Sequence, residues 1–168
     1  MSGEDPAPAI AAAIRAILAV IPGVRPGRTV LGVGWATVDA ERAATELARR
    51  WPRSGPFEAG TRETLLGAAC LVGRPVAHDG MPVRLVVLEP LTEGRLAASL
   101  ARHGEGPAAL WLAGGPHAPD GGPASRRGGG PASRRGGGPF GPERLVLGGP
   151  AGGPHLLVVD RRASTIGR

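Results

Sequence analysis

The chain has 168 residues, about one domain's length, with 20 basic and 14 acidic side chains and a formal net charge of +6. It has no Tyr, Lys, Asn or Gln, only two Phe and three Trp, and 29 Gly with 18 Pro, so its core must be built from Ala, Leu and Val. All basic residues are Arg, which reflects GC-rich coding rather than function; four of them sit in two Ser-Arg-Arg copies, the remainder of the chain carries +2, and the lack of a basic helix or stacking platform argues against nucleic acid.

The first apolar stretch, "PAPAIAAAIRAILAVIPG", predicts a helix from Ala7 to Val20 that ends at Pro22-Gly23. It follows Glu4 and Asp5, carries Arg15 and is too short for a membrane span, so neither a targeting peptide nor a membrane partner is expected. Its apolar residues run nearly all the way round, which predicts that it covers the domain or a second subunit. "VLGVGWATV" then reads as a strand, and "DAERAATELARRW" as a helix with Asp39 as N-cap and Pro52 as its stop.

Two further strands are predicted at Leu65–Gly73 and Val83–Glu89, joined through Asp79-Gly80. Cys70, the single cysteine, lies in the first of them and reads as a small buried residue. Standing alone it rules out an intramolecular disulfide and fits a reducing, cytoplasmic setting. Thr92 is expected to cap the next helix, "EGRLAASLARH", and Gly104 to stop it; "PAALWLA" resumes a strand. From 114 to 141 a Gly/Pro/Arg-rich flexible loop is expected, holding the tandem repeat "GGPASRRG" at 121–128 and 129–136. Strands are predicted again at "ERLVLGG" and "PHLLVVD", followed by a frayed tail at 161–168.

The motifs "GVGWATVDAERAA" and "VVLEPLTEGRLAASLARHGEG" resemble the vicinal oxygen chelate superfamily of glyoxalases, dioxygenases and bleomycin-resistance proteins, nearest to its methylmalonyl-CoA epimerase-like and glyoxalase-like members. The resemblance spans about Val30 to Leu112. It implies an α+β fold in which paired βαβββ modules curl a mixed sheet into a cup. Here an extra helix and linker (1–28) would precede one domain (29–160), its second module abbreviated. Metal-binding members carry donors on the first, fourth, fifth and last strands. The corresponding positions here are Gly32, Val86, Ala109 and a choice among Leu156, Leu157, Val158 and Val159, none of which has a lone pair to offer a metal. No cofactor and no metal are therefore expected.

Other donors exist. His78, His103, His117 and Glu105 read as solvent-facing or capping residues, whereas a two-residue slip of register aims His155 into the cup and a bulge in its strand would let Glu89, at a strand end, reach it too. Strand alternation puts Val33, Trp35 and Thr37 on one face, and Ala109, Trp111 and Ala113 on one face of an equivalent strand. The expected ligand-binding set is thus Trp35, Val86, Glu89, Ala109, Trp111 and His155, with no catalytic residue assigned. Three functions stay open. The first is a metal-free protein that holds an apolar or aromatic small molecule in the cup. The second is a metal-dependent isomerase, epimerase or lyase with a rearranged site, Glu89 as base and Arg84 or a metal as electrophile. The third is a protein-interaction subunit. A homodimer is compatible with two modules that make one cup.

Overall fold

Alternating apolar residues and well-marked stops divide the chain into strands and helices much as periodicity predicts. The computed structural model describes residues 5–20, 29–114, 134–146 and 153–160. In chain order its elements are α1 (Pro6–Val20), β1 (Val30–Ala36), α2 (Ala40–Arg50), β2 (Glu58–Ala59), β3 (Ala68–His78), β4 (Met81–Pro90), α3 (Arg95–His103), β5 (Gly106–Ala113), β6 (Arg134–Gly138), β7 (Gly141–Val146) and β8 (His155–Val159).

One mixed sheet holds all these strands in the order β2-β3-β4-β1-β5-β8-β7-β6 and curls into a half-barrel. Each half repeats the same plan: a first strand pairs in parallel with the fourth (β1 with β4, β5 with β8), and the middle strands continue outward as antiparallel neighbours. The halves join where β1 and β5 run antiparallel. This is a paired βαβββ architecture. The second half carries all four strands of the plan, so it lacks none of them; the interval between β5 and β6, where its helix would fall, lies outside the described residues.

Local chemistry sets the boundaries. Asp39 accepts a hydrogen bond from the Arg42 amide at 3.0 Å and caps α2 as its sequence position predicts. Asp79 and Gly80 both take positive φ, 48° and 74°, which is the geometry of a tight two-residue hairpin between β3 and β4. Two expectations need correction. Helix α3 begins at Arg95 behind Gly94, with no side-chain cap, so Thr92 does not cap it. The loop expected through residue 141 gives way at Arg134, where "RRGGG" forms β6 in register with β7. Strand propensity there is poor, but main-chain pairing needs no side chains. His117, the first repeat copy and the tail lie outside the described residues.

Two cores result. On the convex face Ile10, Ile14 and Ile17 of α1 and Ala43, Ala44 and Leu47 of α2 pack on Val33, Leu85, Val87, Leu110, Leu112 and Leu156. Helix α1 lies along β1, β3 and β5, covering the sheet of its own chain. Each fully buried isoleucine contributes roughly 1.5–3 kcal/mol of transfer free energy. On the other face Ala36, Cys70, Val86, Leu88, Ala109, Trp111, Leu145, Leu157 and Val159 form a second core. Side chains from strands that are not neighbours meet there, as Trp111 of β5 meets Phe140 of the β6–β7 turn at 5.5 Å between ring centroids. That face is the inside of the cup.

Candidate functional site

The inner face is mostly hydrocarbon, and two acids are buried together on it. Glu63, in the connection between β2 and β3, is completely buried, and Glu143 on β7 is 1% exposed. The Glu63 main chain pairs with Ala68 in both directions, at 3.0 and 2.9 Å, which pins the connection into a tight loop. Its side chain turns back to accept the amides of Leu65, at 3.0 Å, and Leu66. Glu143 is on the inner face because it shares strand parity with Leu145, and it accepts the Trp111 indole N–H at 2.8 Å.

As two carboxylates the pair would leave Oε1 of Glu143 without a partner. A proton on Glu143, donated to Glu63, satisfies both groups. Burial first, then the hydrogen bond and charge of Glu63, push the Glu143 carboxyl up to about 9, so it is neutral at pH 7. Burial likewise pushes the neighbouring Cys70 thiol up to about 12. It is a packed thiol, not a nucleophile, as its sequence context predicts.

Next to this pair the loop that carries Glu63 is held to β6. The Thr64 amide donates to the Gly137 carbonyl at 3.0 Å, and the Gly137 amide donates to the Thr64 hydroxyl at 2.9 Å. A Cβ on Gly136 would sit 2.5 Å from the Thr64 hydroxyl oxygen, and one on Gly138 would collide with the Glu143 carboxyl. The glycine run of the repeat is therefore what lets an edge strand lie this close to the loop and the acid.

The six expected ligand-binding residues divide. Val86, Ala109 and Trp111 line the inner face. Trp35 does not: it packs on the convex face, edge-on to Trp51 at 6.4 Å. Gly32, not Trp35, pairs with Trp111 across β1 and β5, so the two tryptophans have opposite parity. Glu89 does not reach the cup either; it accepts the Ala40 amide at 2.9 Å and serves the first turn of α2. Glu105 does similar work there, accepting from Thr37 at 2.7 Å, the Val38 amide at 3.1 Å and Arg42. The Arg42 hydrogen bond, followed by that of Thr37, holds its carboxyl down at about 2. The N-terminus of α2 thus draws three carboxylates to its positive end.

His155 shares the inner-face parity of Leu157 and lies under the start of α3. It is 3% exposed, its Nε2 has no partner, and burial, with the Arg95 charge, lowers it to about 4. Sequence reasoning missed Glu63 and Glu143, the only ionisable pair joined on this face among the described residues. For Glu143 the alternation of "ERLV" with buried Leu145 carried the signal. Glu63 lies in a loop without periodicity and gave none.

No family model and no curated protein matches this chain. Solved structures do. Methylmalonyl-CoA epimerase of Streptomyces coelicolor, a variant in complex with 2-nitronate-propionyl-CoA, superposes with a TM-score of 0.56 at 19% identity, over 80% of this chain and 97% of the epimerase. A methylmalonyl-CoA epimerase in complex with methylmalonyl-CoA and NH4+ reaches 0.57 at 19% identity, over 81% and 96% of the two chains. The Mycobacterium tuberculosis epimerase gives 0.51 at 20% identity, over 84% and 89%. The chain has the vicinal oxygen chelate fold. None of its helices is long and apolar enough to cross a membrane among the described residues.

A divalent metal, common in the vicinal oxygen chelate fold, does not suit the side chains found at the corresponding positions. Val86 and Ala109 are fully buried hydrocarbons, and the space beside Gly32 belongs to Phe140, whose ring carbon lies 2.5 Å from where a Cβ would stand. Leu157 and Val159 point inward from β8 as hydrocarbons too. Of the donors that face inward, a protonated Glu143 and a thiol held neutral are poor ligands for a hard or borderline cation, Glu63 already accepts two main-chain amides, and the His155 imidazole has no second and third donor converging with it among the described residues.

Proposed function

We propose that this protein is a metal-free small-molecule-binding protein whose ligand is a neutral apolar or aromatic compound bearing a carbonyl group, held on the inner face of the cup. The neutral Glu143 carboxyl, sharing its proton with Glu63 and accepting from Trp111, carries this reading. A ligand carbonyl oxygen takes the place of Glu63 as acceptor of the Glu143 proton. Val86, Leu88, Ala109, Trp111 and Phe140 supply the apolar wall around it. An anionic ligand fits less well, since a carboxylate brought beside this pair would meet two acids.

The test is titration of the purified full chain with a panel of neutral aromatic ketones and aldehydes, alongside methylmalonyl-CoA, following thermal stability and the Trp111 indole N–H resonance. Ligands that bind only the folded state raise the apparent stability by mass action. The reading predicts a rise in Tm with a shifted Trp111 indole signal for neutral carbonyl compounds. Stabilisation without movement of that signal would remove the cup as the site.

A second reading has its own support. Two carboxyls in hydrogen-bond contact, that of Glu143 pushed up by burial and by Glu63, are an arrangement in which one acid donates and its partner accepts during proton transfer next to a carbonyl. The solved relatives named above are epimerases. Saturable binding of methylmalonyl-CoA with deuterium uptake at its α-carbon would make proton transfer the function and binding only its first step.

A further inference from the structure

Where β6 meets the connection between β2 and β3, main-chain contacts cover the carboxyl pair of the inner face. Among the described residues strand β6 sits at the edge of the sheet and is laddered only to β7. Across the opening it meets the Glu63–Leu65 segment through the Thr64–Gly137 contacts, at 3.0 and 2.9 Å, with a further Thr64 hydroxyl to Gly137 carbonyl contact at 3.1 Å. Directly beneath, Glu143 on the β7 side is hydrogen-bonded to Glu63 on the loop side. Separating the two sides breaks these contacts and none of the β6–β7 or β2–β3 pairing. Phe140, in the β6–β7 turn, and Trp111 behind it would then line the opening.

We propose that the junction between β6 and the Glu63–Leu65 segment is a gate across the mouth of the cup, latched by the hydrogen bond between Glu143 and Glu63. This deepens the ligand-binding reading and rests on it: the same proton that greets a ligand carbonyl holds the cup shut without one. A carbonyl that accepts the Glu143 proton releases Glu63 and unlatches the gate, so access and recognition are one exchange of partners.

The groups facing the Glu143 carboxyl are Glu63 from the β2–β3 connection, Cys70 of β3, Trp111 of β5 and the main chain at Gly138 of β6. Only Glu63 and Cys70 titrate, and the thiol stays neutral below about 12. Opening lets water reach Glu143 and release its proton, while the closed gate retains it. The opening constant therefore rises with pH, by up to about tenfold per unit for one proton.

Native-state hydrogen exchange of the full chain tests this. The Thr64 and Gly137 amides are compared with those of Leu110 and Leu157 in the centre of the sheet, from pH 6 to 8, with intrinsic exchange rates divided out. The gate predicts Thr64 and Gly137 exchanging at least about tenfold faster than the central amides through local opening. It also predicts an opening constant that climbs by up to about tenfold per pH unit. Glu143→Gln, isosteric and able to donate to Glu63, should flatten the climb; Thr64→Val should raise opening at every pH and keep the climb. Seam amides no faster than the central ones, or a climb that persists in Glu143→Gln, would overturn the proposal. A pH-dependent seam with no ligand found leaves the gate standing and removes the binding reading. A bound ligand with a flat seam does the reverse.

Discussion

The two faces of this sheet are equally dry and yet differently built. The convex face is covered by α1 and α2, and its core is entirely Ala, Val, Leu, Ile and Trp. Among the described residues the only helix against the concave face is α3, and there the buried groups include Glu63, Glu143, Cys70 and His155. Hydrocarbon packing dominates the first, with the Ser54 hydroxyl donating to the Trp51 carbonyl beside it; the second accepts the desolvation cost of two acids and a histidine.

The largest expected loss tests whether the inner face also carries stability. Trp111→Ala removes a fully buried ring and leaves Glu143 without its donor, and should cost about 4 kcal/mol in a denaturant titration. The matching cut on the convex face, Ile17→Ala, should cost about 3 kcal/mol and leave the Trp111 indole resonance unmoved. Movement of that signal would mean the two faces are not independent.

A pH series sharpens the contrast further. The folded state keeps the Glu143 proton between about 4.5 and about 9, where the unfolded chain releases it, so this group makes stability fall as pH rises. The slope is at most about 1.4 kcal/mol per pH unit, and Glu143→Gln should abolish it. His155 acts in the opposite sense at lower pH. It stays neutral in the fold down to about 4, whereas the unfolded chain takes up its proton below 6.5, so stability contributed by His155 is lost as pH falls through that window. The convex face holds no such groups in its core, and Ile17→Ala should lower the whole curve without changing its shape.

The smallest change concerns the end of α2 rather than either face. Glu89→Ala removes the acceptor of the Ala40 amide and should cost roughly 1 kcal/mol, with no effect on the Trp111 resonance. If instead that resonance moved, Glu89 would be contributing to the cup as its strand position had suggested.

Much of the architecture is legible in the residues. Asp39, the Asp79-Gly80 turn and Gly104 announce their elements because each acts locally, through a cap, a positive φ or a helix stop. The apolar runs of β3, β4, β5 and β8 announce theirs through composition. The site was less legible. Trp35 and Trp111 look equivalent in sequence, but irregular register between β1 and β5, with shifts at Val30/Gly32 and Gly34/Trp35, decides which face each takes, and no alternation pattern encodes that. Glu63 is buried by a loop that folds over it, and its partner lies eighty residues on. Strand β6 is written in Arg and Gly, and only its neighbour β7 and the waiting Thr64 make it a strand.

That origin of β6 bears on how the protein can vary. The strand begins in the second "GGPASRRG" copy, and the two copies are followed alike by Gly-Gly-Pro. Any gain or loss of whole units upstream leaves Arg134 to Phe140 with the same neighbours in sequence, so replication slippage changes the length of chain before the gate and not the gate. Repeat number is therefore a quantity that inheritance can alter without touching the carboxyl pair, and related chains of different length should keep the last copy intact.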